Sequence, residues 1–269
     1  MERNELKSKI LKGFTIALPI LLVAILAMLI VVAMNLAKED NSIPVFNNGG
    51  GDKTTTTTTT TESTEDDDPA IEDPSSKGLS FTSNGDGTCS LNGLGECTDT
   101  FIIIPTMSPD GDIVTEIADG AFKNSNRIKG IELCETIERI GAYAFYGSTL
   151  REIVIISSVN EIGNYAFVGC KYLERIDVDE GNSAYSSSSG VLYNKDGSTL
   201  ITYPAGKGDN FVNIGVEVTK IANMAFYRCT SVKKVNYHGT SLSWEMIEIG
   251  AGNDVIDEAF IFFAGDSGK

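Results

Sequence analysis

Few residues of this chain have the types and spacing that support catalysis or metal binding. Its single histidine is His238, so a histidine-based triad would depend on that residue, and a site with several histidine ligands is excluded. The sequence contains no C-x-x-C pair, no G-x-S-x-G nucleophile elbow and no Walker loop for phosphate. We therefore predict no catalytic residue, no metal site and no cofactor.

The five cysteines are the remaining reactive side chains. Cys170 and Cys229 each follow an Ala-Phe pair at the same spacing, which favours a small buried side chain over a reactive thiol. Cys89 and Cys97 flank a glycine-rich loop, a spacing compatible with a disulfide if the domain is exported. Sequence alone leaves that pairing open, and Cys134 has no evident mate.

The chain is acidic, with 21 Lys and Arg against 37 Asp and Glu and a formal net charge of −16. This balance argues against a nucleic acid partner and against docking on an anionic lipid surface, since both need a basic patch. Carboxylates are so frequent that no particular pair identifies a glycosidase. An enzyme would need a clustered acidic site that the sequence does not mark.

A recurring unit must position any functional side chain of residues 113–237. Ala-Phe pairs return roughly 22 residues apart in the first three units, a period typical of leucine-rich solenoids. An isoleucine stands five residues before each phenylalanine, and a strand pattern of the form L-x-x-I-x-I follows. We predict a short helical turn and one strand per unit, with one continuous core file formed by Ile117, Phe122, Ile140, Phe145, Ile162, Phe167, Ile221 and Phe226.

The outward residues of these strands should form vertical rows of charge. The pattern places Arg151 opposite Glu174 and Glu152 opposite Arg175. One interpretation is a charge ladder that solvates the sheet, each pair contributing about 0.2–1 kcal/mol. The other is a ligand-binding strand face, as in other solenoids. Its candidate residues are Lys129, Arg151, Glu152, Glu174, Arg175, Asp177, Lys233 and Lys234.

A longer interval separates the third unit from the fourth. Residues 190–204 contain two β-rich runs around Asn194–Gly197, which is a hairpin signal. We predict a hairpin inserted at 186–204 within the stack, with residues 211–214 as the strand that precedes the last unit.

These units resemble the BspA-type (treponemal-type) leucine-rich repeats of cell-surface proteins. The shared motif V-T-x-I-x-x-x-A-F-x-x-C-x-x-L-x-x-I-x-I is most complete at 159–178 and 218–237. The resemblance covers residues 78–269 and implies an N-terminal cap at 78–112 and a C-terminal cap at 238–269. The first unit departs from the motif, with Asp119-Gly120 in the tyrosine region and Ser125 in place of the cysteine.

The N-terminal part has a different character. Residues 13–37 carry no charge and are long enough to cross a bilayer, which favours an uncleaved transmembrane anchor over a signal peptide. Basic residues precede this segment, so residues 1–12 should be a cytoplasmic tail. Residues 38–77 include a threonine run and an acidic stretch, typical of a disordered stalk.

The sequence thus predicts a leucine-rich repeat solenoid, mainly β, preceded by a transmembrane helix and a disordered stalk. The resemblance implies non-catalytic adhesion at the cell surface to an extracellular protein or glycan. The apolar segment 13–37 predicts the membrane as a further partner, and the acidic composition and the absence of cofactor motifs predict no nucleic acid partner and no small-molecule cofactor. The alternative is a structural element of the cell envelope without a specific ligand.

Overall fold

The computed structural model describes residues 73–266. The predicted tail at 1–12, the membrane segment at 13–37 and most of the predicted stalk lie outside this range. Within 73–266, none of the helices has the length and apolar character needed to cross a membrane.

Sheet B is built from the strands that contain the recurring isoleucines. Its four parallel strands are β3 (Phe101–Ile103), β5 (Gly130–Glu132), β7 (Glu152–Ile155) and β9 (Arg175–Val178). In β7, Ile153 and Ile155 are buried while Glu152 and Val154 are exposed. Each repeat unit forms one rung of the solenoid. Because side chains alternate between the two faces of a strand, each rung places its aliphatic strand residues in the core and the intervening strand residues on the outer face.

Sheet A lies across the core from sheet B and is built from shorter strands. Its order is β1-β2-β4-β6-β8, with the bounds Ser80–Ser83, Thr88–Gly93, Ile113–Ile117, Arg139–Ile140 and Glu161–Ile162. The β1–β2 pair is antiparallel, and each later strand is parallel to the one before it. Each unit therefore adds one strand to each sheet.

Two further sheets contain the insertion and continue the solenoid after it. Sheet C has the order β10-β11-β12-β14-β16, with the bounds Tyr185–Ser188, Val191–Asn194, Thr199–Thr202, Lys220–Ile221 and Glu248–Ile249. Sheet D has the order β13-β15-β17, with the bounds Phe211–Ile214, Lys234–Tyr237 and Phe260–Phe263. The inserted segment is thus an antiparallel meander of three strands, of which the sequence indicated two.

Two short helices occur in the C-terminal part. Helix α1 spans Ser241–Glu245, and the Thr240 side chain accepts a hydrogen bond from the Ser243 N–H at its start. Helix α2 spans Asp254–Asp257, and a 3-10 turn follows at Ala264–Asp266. Trp244 of α1 packs edge-on against Tyr237, with ring centroids 5.2 Å apart, so this helix covers the core beyond β15.

The recurring phenylalanines form two stacks, and the prediction of one file of four is wrong. Phe122, Phe145 and Phe167 stack with centroid distances of 5.3 and 5.5 Å. Phe226 instead stacks on Tyr203 at 5.1 Å. The core is divided in the same way into two clusters of buried residues that meet at the meander. The insertion interrupts the stack because its rung has Thr202-Tyr203 where the other units have Ala-Phe.

The Ala-Phe segments are turns, and the predicted short helix is wrong. The residue before each alanine has a left-handed backbone, which cannot continue a right-handed helix. This conformation explains why the first unit can carry glycine there, since glycine adopts a positive φ without steric cost. The four equivalent residues are Gly120 (φ 67°), Tyr143 (56°), Tyr165 (62°) and Met224 (56°).

Candidate functional site

The outer side of sheet B, which we call the strand face, carries three of the charged candidates: Glu152 and Arg175 are exposed there, and the half-buried Asp177 lies on β9 beside them. Lys129, Arg151 and Glu174 are also exposed, and each directly precedes a strand of the same sheet. Lys233 and Lys234 are also exposed, but they belong to the sheet D side of the insertion. The structure therefore brings together six of the eight candidates and separates the two lysines from them.

One of the two predicted cross-strand ion pairs forms. Arg151 Nη1 lies 3.5 Å from Glu174 Oε1, with both side chains largely exposed. Glu152 and Arg175 are neighbours in register, but Arg175 Nη2 instead contacts Asp177 Oδ2 at 2.6 Å. Asp177 can reach the Arg175 guanidinium because the two residues are two positions apart on one strand and therefore lie on the same face. Glu152 consequently keeps its carboxylate free of a salt bridge among the described residues.

Two exposed apolar side chains interrupt the charge on the strand face. Phe101 and Val154 are each 52% exposed. Phe101 is in register with Gly130, and a Cβ atom at Gly130 would lie 2.6 Å from the Phe101 ring. The Phe101 ring therefore occupies space that a side chain at position 130 would fill, and the absence of a side chain on Gly130 makes its placement possible.

These side chains line a groove of about 370 Å³ across β3, β5, β7 and β9. Phe101, Val154 and core isoleucines form its apolar part, and Glu132, Glu152 and Asp177 supply carboxylates at its border. Asp177 is paired with Arg175, whereas Glu132 and Glu152 have no salt bridge among the described residues. An apolar surface bordered by two unpaired carboxylates suits a partner that presents an aliphatic or aromatic side chain beside a lysine or arginine.

The sequence did not reveal the apolar part of this groove. Phe101 stands before the first recognisable Ala-Phe unit, where the repeat pattern gives no register. Its available signal was the alternation of residues 101–104, in which Ile102 and Ile104 are the buried members. Val154 occupies an outward position of its strand, and its apolar type among charged neighbours was the signal that the sequence offered.

A second charged cluster lies on sheet A and serves the fold. Arg139 contacts three carboxylates, with distances of 2.6 Å to Asp119, 3.2 Å to Glu116 and 3.1 Å to Glu161. Glu116, Arg139 and Glu161 are consecutive partners in the sheet register. The Arg139 hydrogen bond, joined by the Ala142 N–H, holds the pKa of Asp119 below its usual range. This cluster links three rungs and leaves no cation available for a ligand.

We expect the Arg139 cluster to make stability depend on acidic pH. Because the pKa of Asp119 is lowered by folding, its contribution is complete above the unfolded pKa of about 4 and is lost as the pH falls through the lower folded value. Thermal melts between neutral pH and pH 3 should show a steeper decline in Tm for the wild type than for Arg139→Gln. In the wild type the Arg228 guanidinium lies by the Tyr227 ring, so the control Arg228→Gln should keep the wild-type dependence of Tm on pH. Equal dependence of Tm on pH in all three proteins would contradict the prediction.

The repeat cysteines are buried hydrogen-bond donors. Cys170 Sγ donates to the carbonyl of Phe145 at 2.9 Å, and Cys229 Sγ donates to the carbonyl of Tyr203 at 3.5 Å. Burial raises the pKa of Cys170 and raises that of Cys229 to about 12. Each thiol therefore stays protonated and ties its unit to the aromatic residue of the preceding rung.

Cys89 and Cys97 are free thiols in the structure, and both are buried. Cys89 lies on β2 with its Sγ 3.7 Å from the carbonyl of Asp112, and burial raises its pKa. The disulfide between them stays a prediction. Among residues 73–266, no group of three or more histidine, cysteine or acidic side chains is arranged to hold a metal ion, and His238 is exposed.

Comparison with known families gives one match. A family model described as BspA type leucine rich repeat region matches residues 100–206 and 206–245, with six copies in total. A comparison with curated proteins finds no match.

Several solved structures are similar to this chain. A leucine rich cell surface protein from Faecalibacterium prausnitzii A2-165 is 18% identical, with 66% of this chain and 72% of that chain covered and a TM-score of 0.42. A leucine-rich repeat protein from Eubacterium ventriosum ATCC 27560 is 24% identical, with 52% and 54% covered and a TM-score of 0.39. The pneumococcal vaccine antigen PcpA is 19% identical, with 66% of each chain covered and a TM-score of 0.32.

Proposed function

This chain belongs to the BspA type leucine-rich repeat family, and from that premise we propose that it is a non-catalytic cell-surface protein that binds an extracellular protein through the strand face. The observation that carries this proposal is the groove around Phe101 and Val154, whose exposed apolar side chains are bordered by carboxylates. Solenoids commonly use such an extended strand surface for binding.

Charge indicates the kind of protein partner. Arg175, the cation in register with Glu152, is held by Asp177, so Glu132 and Glu152 are left to act on a ligand. A partner with a basic surface around a protruding apolar side chain would gain from both features of the groove, because complementary charge sets orientation and association rate. Extracellular matrix proteins with basic segments fit this description.

Reversing the free carboxylate at the groove should weaken binding. We expect Glu152→Lys to reduce the affinity of the full-length protein for a basic matrix protein by about tenfold, since like charge at an interface costs on the order of 1 kcal/mol or more. Surface plasmon resonance at two salt concentrations measures this, and the wild type should lose affinity as salt rises.

A matched reversal provides the control for this experiment. Glu245→Lys makes the same charge change at an exposed position of α1 and should leave the affinity nearly unchanged. Equal losses in both variants would show only a general effect of net charge. Unchanged affinity for Glu152→Lys would place the binding surface elsewhere, and no saturable binding by the wild type would favour a structural envelope element.

The anchoring of the protein is part of the same proposal. The uncharged segment 13–37, preceded by a basic tail and followed by an acidic stalk, supports a single-pass topology with the repeat domain outside the cell. Protease treatment of intact cells should release the repeat domain. If the domain stays protected until the cells are lysed, the surface location is wrong.

A further inference from the structure

A second cavity lies beside the inserted meander, apart from the strand face groove. It has a volume of about 280 Å³ and opens between β11 and β13. Its lining is rich in hydroxyl groups, which come from Tyr193, Tyr203 and two serines, and it carries the 43% exposed ring of Phe211 at β13. This combination of an aromatic surface and convergent polar groups is typical of a small-ligand site.

The hydroxyl of Tyr203 is the feature that the fold does not explain. Tyr203 is only 3% exposed, and its ring stacks on Phe226. Its oxygen is buried, yet it makes no hydrogen bond to any of the described residues 73–266. Phenylalanine occupies the equivalent stacked position in the other units, for example Phe145. A buried hydroxyl without a partner is rare and unfavourable, so its presence here points to a group that enters the cavity.

The charge state of the cavity favours a neutral ligand. Lys207 Nζ lies 3.2 Å from Asp209 Oδ2, so the two charged side chains of the lining neutralise each other. Burial raises the pKa of Tyr203 and, with a smaller effect of Glu217, raises that of Tyr193 to about 12. Both phenols are therefore protonated at neutral pH and can donate as well as accept hydrogen bonds.

We propose that this cavity binds a neutral saccharide unit, with the Tyr203 hydroxyl bonded to a sugar hydroxyl and the Phe211 ring packed on the apolar face of the sugar. Sugar hydroxyls both donate and accept, which matches protonated phenols, serines and the Asn213 amide that also line the cavity. An aromatic side chain offers a flat apolar surface for the C–H groups of a pyranose. This site is separate from the strand face and does not depend on the protein-binding function.

An extended peptide is the competing occupant. Among the strands of residues 73–266, β13 pairs on one side only, with β15, so a peptide could pair with its other edge. Such pairing would satisfy backbone groups of Phe211 and Asn213, whereas the group that lacks a partner is the side-chain hydroxyl of Tyr203, a residue that lines the cavity. The saccharide accounts for that hydroxyl, and the peptide does not require it.

The test uses the full-length protein and methyl glycosides of glucose, galactose, mannose and N-acetylglucosamine as probes. Saturation-transfer NMR and calorimetry should detect saturable binding of at least one glycoside. Tyr203→Phe should weaken that binding by about tenfold, because a ligand hydroxyl then loses its buried partner. The control Tyr172→Phe, at a 42% exposed position, should bind as the wild type does.

Thermal melts of the same proteins supply a second readout. Without glycoside, Tyr203→Phe should melt no lower than the wild type, since the variant loses only an unpaired hydroxyl. The bound glycoside should raise the Tm of the wild type and not that of the variant. These outcomes are independent of the strand face, because Glu152→Lys should retain glycoside binding.

Four results would overturn the saccharide site. The first is the absence of binding by every glycoside, and the second is equal binding by the wild type and Tyr203→Phe. The third is a peptide such as poly-serine that binds in a manner sensitive to Tyr203→Phe while no glycoside does, which would assign the cavity to an added strand. A lower Tm of the ligand-free variant would also contradict the proposal, since it would reveal a partner for the hydroxyl in the free protein.

Discussion

Phe145→Ala is expected to lower the free energy of unfolding by about 3–5 kcal/mol, the range for removing a fully buried aromatic ring. Phe145 is 0% exposed and stacks between Phe122 at 5.3 Å and Phe167 at 5.5 Å. The substitution leaves a cavity in the middle of the stack, and both neighbouring rings lose a contact face. For a domain of this size the Tm should fall by roughly 10 °C.

Chemical denaturation and calorimetry of the full-length protein measure this effect. Tyr172→Ala removes an aromatic ring of similar size from an exposed position and should change stability by no more than about 0.5 kcal/mol. If both variants lose the same stability, the stack is not the dominant contribution. A local loss is also expected, because each rung of a solenoid contacts mainly its neighbours; hydrogen exchange should increase most in residues 113–178.

Gly163→Ala is expected to destabilise the protein by about 1–3 kcal/mol, although glycine-to-alanine changes usually stabilise a chain slightly through the unfolded state. A Cβ atom at Gly163 would lie 2.3 Å from the Ala142 nitrogen and 2.7 Å from the Ala142 Cα. These are backbone atoms of the preceding rung, so they cannot rotate away. The added methyl group must push two rungs apart, which weakens the hydrogen bonds and ring contacts between them.

Gly181→Ala is the matched control for this prediction. Neither Gly163 nor Gly181 has a positive φ, so backbone strain is equal in the two cases. At Gly181 the nearest atom to an added Cβ is the Asp179 carboxylate at 3.0 Å, which accepts a hydrogen bond from the Gly181 N–H, so a small shift of one side chain within the same turn relieves the contact. A loss at Gly163 that is no larger than the loss at Gly181 would show that the rungs tolerate separation, contrary to the expectation.

Much of the repeat architecture could be predicted from the sequence. The isoleucine and phenylalanine periodicity identifies the buried residues of each unit because only stacked units can bury them. The family assignment and the mainly β solenoid are confirmed. The periodicity could not distinguish a short helix from a left-handed turn, since Tyr143 and Met224 are types that rarely adopt a positive φ and do so here under tertiary constraint.

The sequence could not predict which carboxylate pairs with each basic side chain of the charge rows. Arg175 had two carboxylates within reach, Glu152 across the sheet and Asp177 along its own strand, and the structure selects Asp177. Side-chain rotamers and distances of an ångström decide such competition. The groove around Phe101 depended on the same kind of detail, because the pairing of Phe101 with Gly130 joins residues from the N-terminal part and the first repeat.

The side-chain types alone specify a stack of similar units with an apolar interior and a charged strand face, because burial requires the same types at the same interval in every unit. The place where the stack is interrupted, the strand edges that meet the meander and the polar groups that remain unpaired become visible in the folded chain. Those properties depend on how rungs distant in the chain align in space. The unpaired Tyr203 hydroxyl and the groove at Phe101 arise at such alignments.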